Sequence, residues 1–152
     1  MGRSDHADGT WRSPDGLCLH YRDWAGPDDR LPLLCIPGLT RNARDFEPVA
    51  DAFDRERRVI AADLRGRGDS DYAKDSATYA PLHYVADIAG LLDQLGLARV
   101  VVIGTSLGGI IAMLLAASQH GARLAGVVLN DVGPERAPEG LARIREYVGQ
   151  GG

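Results

Sequence analysis

The sequence predicts an α/β fold: a mainly parallel sheet with an N-terminal antiparallel hairpin and helices on both faces. Three observations carry this. Short strand-like runs rich in apolar residues recur at 33–36, 58–62, 99–103 and 125–130, and the first is continuously apolar, as expected of strands buried on both faces. Between them lie segments whose apolar residues recur at helical spacing. The two kinds alternate along the chain, the pattern of strand–helix–strand units with right-handed crossovers.

The elements follow in order. Leu17-Cys18-Leu19-His20-Tyr21 comes after the turn Pro14-Asp15-Gly16 and reads as the second arm of a hairpin whose first arm lies near Thr10–Arg12. Leu33-Leu34-Cys35-Ile36 is a buried strand stopped by the breaker pair Pro37-Gly38. Phe46, Val49, Ala50 and Phe53 mark a helix, and Val59 to Ala62 a strand ended by Asp63. A polar, Gly-containing stretch runs from Leu64 to about Thr78. Leu82, Val85, Ile88, Leu92 and Leu95 then form one face of a helix that stops at Gly96. After the strand at 99–103, a helix from Leu107 to about His120 is apolar nearly all round, which predicts burial on every side. A sixth strand at 125–130 precedes a short amphipathic helix on Leu141, Ile144 and Val148. The resulting division is a polar tail at 1–9, a core at 10–133 and a separate segment at 134–152.

Composition narrows the function. The 152 residues carry 17 Lys and Arg against 21 Asp and Glu, a net charge of −4. Such mild acidity argues against a nucleic-acid partner. Hydrophobic residues at 45% and charged residues at 25% are ordinary for a globular domain. Cys18 and Cys35 sit in apolar strand-like segments and read as reduced, buried thiols. The polar N-terminus lacks a signal-peptide core, and His6 stands where a myristoylation motif needs Ser or Thr. The longest apolar run, 110–117, is too short to span a bilayer. The expectation is a cytoplasmic protein with no membrane partner.

Ligands of such sheets bind at the carboxyl ends of the strands. The richest end reads Gly104-Thr105-Ser106-Leu107-Gly108-Gly109. It fits G-x-S-x-G between a strand and a helix, the context of a serine nucleophile on a tight turn. Gly104 and Gly108 would be required where a Cβ meets the neighbouring strand or helix. The Leu107 N–H would lie at a helix N-terminus, which favours a developing anion. Two phosphate-binding readings fail: Ile110 and Ile111 occupy the Lys and Ser/Thr positions of a P-loop, and Ser106 occupies the second glycine of a dinucleotide fingerprint.

Three motifs stand in order: Ile36-Pro37-Gly38-Leu39, Asp63-Leu64-Arg65-Gly66-Arg67-Gly68-Asp69-Ser70 and the serine turn. Together they resemble the N-terminal half of the α/β-hydrolase superfamily, nearest to small bacterial esterases, lactonases and carbon–carbon hydrolases. The resemblance spans residues 10 to 149. It implies that the strand ending at Ile36 neighbours the one ending at Ile103. It also implies that the Leu39 and Leu107 N–H groups form an oxyanion hole, and that Ser106 attacks the carbonyl of an ester, lactone or related small molecule. Ser106 stands where dehalogenase and epoxide hydrolase relatives place Asp. Pro37 replaces the His that often precedes the motif glycine. The 63–70 loop either clamps an anion through Arg65 and Arg67 or, as in the family, braces the site with Asp and Arg bonding each other.

A serine hydrolase also needs a base and an orienting acid. The family order puts both after the serine. Only His120 follows Ser106, about 20 Å along the helix at 1.5 Å per residue. His83 opens another helix, His20 lies on the hairpin and His6 in the tail. Asp131 is the one candidate acid, at the end of the sixth strand. The segment 134–152 resembles the start of the family's lid. The expectation is therefore a fold truncated after the sixth strand, without the usual histidine, and needing neither metal nor cofactor. The bare edge predicts self-association or pairing with a missing C-terminal half. The alternatives are a non-catalytic binding module or inactive fragment of the same fold, and a perhydrolase or acyltransferase.

Overall fold

The structure, a computed structural model, describes residues 6–38, 42–53 and 56–130. The strands are β1 (Ala7–Arg12), β2 (Cys18–Trp24), β3 (Leu33–Ile36), β4 (Val59–Ala62), β5 (Val100–Thr105) and β6 (Leu124–Asn130). The helices are α1 (Glu47–Phe53), α2 (Pro81–Leu95) and α3 (Leu107–Ala117), with 3₁₀ turns at Ala43–Phe46, Ser76–Thr78 and Gly121–Arg123. The strands form one sheet in the order β1-β2-β4-β3-β5-β6. β1, β2 and β4 pair antiparallel in turn, while β3 pairs parallel with β4 and β5, and β5 with β6. The predicted mixed sheet is thus observed, including the neighbouring of the strands that end at Ile36 and Ile103.

The period of two along each strand sorts the core into two layers. Leu34, Ile36, Ile60, Ala62, Val100 and Val102 face α2 and α3. Leu33, Cys35, Val59, Ala61, Val101 and Ile103 face α1. The helices therefore lie on both faces. Helix α2 begins with Pro81 in its first turn and ends at Gly96, whose φ of 65° is the left-handed cap that only glycine adopts readily. Asn42 caps the 3₁₀ turn before α1, accepting from Arg44 N–H while Asp45 accepts from Asn42 N–H. No helix among the described residues is long and apolar enough to cross a membrane.

Three expectations change. β1 starts at Ala7, inside the segment assigned to the tail and before the Thr10–Arg12 arm, because Ala7 to Arg12 pair with Asp23 to Cys18. Helix α3 is not buried all round. Ile111, Ala112 and Leu115 are buried, but Ile110, Met113 and Leu114 are exposed, since the sheet and α2 cover one side of the helix. Cys35 is fully buried, with its thiol pushed upward by burial, whereas Cys18 is only half-buried. Both are free thiols, as expected. Helix 140–148 and the 134–152 segment lie outside the described residues.

Arg65 is the largest buried charge, with a side chain 1% exposed. Its Nε and Nη2 donate to both oxygens of buried Asp87, each at 2.8 Å, and Nη1 and Nη2 to both oxygens of Asp15 at 3.0 Å. Burial pushes the Asp87 carboxyl upward and Arg65 opposes it, while the Asp87 hydrogen bonds raise the guanidinium. Arg65 thereby ties the hairpin turn to α2, beside the Trp11 Nε1–H to Asp87 carbonyl bond of 2.8 Å.

Asp87→Ala would leave the guanidinium buried and half-paired, so it should cost about 3–5 kcal/mol in urea unfolding. Asp15→Asn, at an exposed carboxylate, should cost no more than about 1 kcal/mol. The Arg65 and Ser13 hydrogen bonds lower Asp15 to about 2. Its contribution should thus be complete above the ordinary carboxylate range and fade only as pH falls toward that value. Urea midpoints across acidic pH for the native chain and Asp15→Asn check this.

Candidate active site

The serine turn is the end of β5. Ile36 pairs with Gly104, so β3 and β5 finish side by side. Ser106 follows with φ 57° and ψ −116°, the one non-glycine residue with positive φ among those described. That conformation is strained for an L-residue and survives only where its surroundings impose it. Two glycines do so. A Cβ on Gly108 would collide with the Ile36 carbonyl oxygen and stand 2.8 Å from the Pro37 oxygen. A Cβ on Gly104 would collide with the Gly108 carbonyl oxygen. Gly109 differs, because a methyl there meets Leu129 Cδ2 at 3.4 Å, an ordinary contact.

The turn leaves Ser106 exposed at the start of α3, whose first bonds run from Gly109 N–H and Ile110 N–H back to the Ser106 carbonyl at 2.9 and 3.3 Å. Leu107 N–H, in the first helical turn, has no intrahelical acceptor. Gly38 lies directly opposite: a Cβ there would be 3.2 Å from Ser106 Cβ and 3.8 Å from its Oγ. The structure therefore gathers Gly38, Gly104, Ser106, Leu107, Gly108 and Gly109. Leu39 and Asp131 lie outside the described residues. Thr105, beside the serine, is buried, and its hydroxyl has no partner among the described residues.

None of the histidines is hydrogen-bonded to Ser106 among the described residues. His120 lies past the far end of α3, opening the Gly121–Arg123 turn. His83 lines a cavity of about 360 Å³ with Asp15, Arg65, Leu82 and Asp87, on the hairpin side of the sheet. His6 packs on the Trp24 ring at 5.5 Å between centroids.

His20 is the residue whose environment the sequence did not disclose. It is buried, with Nδ1 2.6 Å from Asp63 Oδ2 and Nε2 2.7 Å from Asp8 Oδ1. Burial lowers its pKa, but the hydrogen bonds to Asp8 and Asp63 outweigh this and raise it above the usual histidine value. Asp63 therefore pairs with His20 and not with Arg65, contrary to the expected Asp–Arg bond within the loop. Arg65 and Asp87 close on each other and on Asp15, so Arg65 is no anion clamp. His20, Asp63 and Asp69 place donor atoms within 4.8 Å of one another. Both His20 nitrogens and both Asp63 oxygens are already engaged, so this is a closed hydrogen-bond network and not a metal centre.

The profile of the alpha/beta hydrolase fold matches residues 32–146. The chain belongs to this family. It is 40% identical over 138 residues to a 3-hydroxybutyrate-oligomer hydrolase of Cupriavidus necator, covering 90% of this chain and 47% of that protein. It is 35% identical over 140 residues to a non-heme chloroperoxidase of Streptomyces lividans, covering 88% and 50%. Among solved structures, an alpha/beta hydrolase from Novosphingobium aromaticivorans is 57% identical with a TM-score of 0.80, covering 98% of this chain and 52% of that one. The chain thus spans about half the length of these relatives.

The turn's geometry separates its glycines. Gly108→Ala should destabilise by about 2 kcal/mol or more, through backbone overlap. Gly109→Ala should be neutral or stabilise by up to about 1 kcal/mol, as expected for glycine replaced within a helix. Ser106→Gly should stabilise relative to Ser106→Ala by about 1 kcal/mol, by relieving the positive φ. Thermal or urea unfolding of the four variants measures all three differences.

Proposed function

We propose that Ser106 is the nucleophile of a serine hydrolase acting on an ester, a lactone or a related carbonyl compound. The observation that carries this reading is Ser106 itself: exposed, held at φ 57°, at a helix N-terminus and pressed against Gly38. In the proposed reaction Ser106 Oγ bonds to the carbonyl carbon while its proton passes to a general base. The oxyanion is held by Leu107 N–H and Leu39 N–H. The tetrahedral species expels the alcohol, which takes up the proton, and water then cleaves the acyl-serine by the same steps. Each oxyanion donor is worth about 2.7–4 kcal/mol of transition-state stabilisation. The relative that acts on 3-hydroxybutyrate oligomers supports an ester joining hydroxy acids as the substrate class.

Asp131 is proposed as the orienting acid. The base is assigned to the half of the relatives' length that this chain does not span, since no described histidine reaches Ser106. That same observation favours a second reading, a binding module that keeps the turn without turnover. Cytoplasmic location, self-association and pairing with a C-terminal half are further parts of the proposal.

Once the half of the relatives' length that this chain does not span is restored, a fluorophosphonate probe should label Ser106, and Ser106→Ala should abolish labelling while leaving the fold intact. Hydrolysis of p-nitrophenyl acetate by the 152 residues alone should stay near background, because an unactivated hydroxyl is a weak nucleophile near neutral pH. Robust turnover lost in both Ser106→Ala and His83→Ala would instead make His83 the base. Labelling that persists in Ser106→Ala would remove the nucleophile assignment.

A further inference from the structure

We propose that His20 is a proton-operated clasp for the outermost strand: as imidazolium it joins Asp8 of β1, across β2, to Asp63 after β4, and on losing its proton it lets Asp8 go and loosens the first residues of β1. The clasp is independent of the serine-hydrolase reading.

The strand register builds it. β1 stands at one edge of the sheet, paired with β2. Thr10 lies opposite His20, and Asp8 is two residues along on the same face, within diagonal reach of a long side chain. On the other flank, Asp63 N–H donates to the His20 carbonyl at 2.9 Å, which brings the Asp63 carboxylate beside the ring. His20 Nδ1 is 2.6 Å from Asp63 Oδ2, and Nε2 is 2.7 Å from Asp8 Oδ1. A neutral imidazole donates through one nitrogen and accepts through the other. Carboxylates at both nitrogens therefore call for imidazolium, which donates to both.

Among the described residues, the charged groups around the ring come from three elements. Asp8 on β1 also meets His6 Nε2 at 3.4 Å. The loop after β4 supplies Asp63, and Asp69 at 3.9 Å. On β2 itself, Arg22 acts on Asp8 electrostatically. Once the ring is neutral, one of its two bonded carboxylates must face a lone pair, and exposure decides which. The Asp63 side chain is 4% exposed, and an uncompensated charge there is costly, so the remaining N–H stays on Nδ1. Asp8 is 62% exposed, and water can take over its oxygens.

The position of the other anchors makes β1 sensitive to this loss. Trp11 is the one buried residue of the strand, and its Nε1 donates to the Asp87 carbonyl at 2.8 Å. Gln94 Nε2 donates to the Thr10 carbonyl at 2.6 Å. Both lie in the second half of β1. At the Ala7–Gly9 end the side-chain tie across β2 is Asp8.

The sign follows from the same contacts. Burial opposes the His20 charge, and the Asp8 and Asp63 hydrogen bonds outweigh it. A raised folded-state pKa gives a contribution present below the unfolded histidine value and lost as pH rises through the folded one. The bond to His20 also holds Asp8 below the usual carboxylate range. The clasp is thus closed from that range up to the His20 midpoint and opens above it.

The His20 N–H donates to Ser70 on the β4 side, so alternation turns the Tyr21 backbone toward Gly9 and makes the Gly9 amide a ladder donor. Nuclear magnetic resonance of the 152-residue chain from about pH 5 to about pH 9 can follow the His20 ring nitrogens and the exchange protection of the Gly9 and Trp11 amides. The expected result is a His20 midpoint above that of an ordinary histidine, with both nitrogens protonated below it. Gly9 protection should fall about threefold across that midpoint, the scale of a partly exposed ion pair, while Trp11 protection holds. Asp8→Asn should lower the His20 midpoint and remove the Gly9 step. His20→Gln should also remove the step, and His6→Gln should leave it. A His20 midpoint at or below the ordinary value would overturn the proposal. So would a Gly9 amide that ignores the midpoint, a step that survives His20→Gln, or one lost in His6→Gln. Asp8→Asn changes an exposed side chain, so an unmoved His20 midpoint there overturns the proposal even where the buried His20→Gln variant fails to fold.

Discussion

The parallel pairing of β3 with β5 is the constraint from which the site follows. Because Ile36 stands beside Gly104, both strands end at one height and their following turns leave the sheet together. The first turn of α3 then passes so close to the Ile36 carbonyl that Gly108 has no room for a side chain, and Gly104 has none because Gly108 is there. These two backbone contacts hold Ser106 at positive φ. They also set its Cβ against Gly38. A side chain at either glycine would lift the helix start from β3 and separate the serine from the segment that faces it. Packing at the backbone level, and not hydrogen bonding by side chains, thus creates the exposed, positive-φ geometry of Ser106.

What was legible in the sequence was mostly local. β3, β4 and β5 showed because each buries both faces, so their runs are unbroken. α2 showed because one apolar stripe ends at a glycine that caps it. The serine turn showed because its glycines have a single steric cause that a motif captures. What depended on distant pairing did not show. β1 begins in polar sequence at Ala7 because β2 supplies its hydrogen bonds. The outer face of α3 looked like core because composition does not tell which sides of a helix are covered: Ile110 and Met113 have the same chemistry as Ile111 and Leu115. His20 and Asp63 are 43 residues apart. They meet only because β2 pairs antiparallel with β4, placing Tyr21 beside Ala62. A histidine in a strand followed, one loop later, by an aspartate closing a neighbouring strand is a signal visible only once that register is known.

The hairpin shows how charge extends a fold where apolar packing ends. Beyond Ala62 the chain is polar, yet it continues along β2. Asp63 N–H donates to the His20 carbonyl at 2.9 Å, and Asp71 N–H to the Cys18 carbonyl at 2.9 Å. Ser70 Oγ accepts from His20 N–H at 2.8 Å and donates to the Asp63 carbonyl at 2.8 Å. Gly66 and Gly68, at φ 75° and 52°, let the loop fold back on itself within this span. Held this way, the loop presents Asp63 to His20 and Ala43 on one side and Arg65 to Asp87 and Asp15 on the other. The parallel half of the sheet builds the serine turn from backbone contacts, while the antiparallel half ties the loop after β4 to the hairpin and to α2 through charged side chains. Backbone overlap is indifferent to pH and salt. Ion pairs are not. The serine turn is therefore fixed by shape, and the Arg65 network beside the hairpin answers to the solution around it.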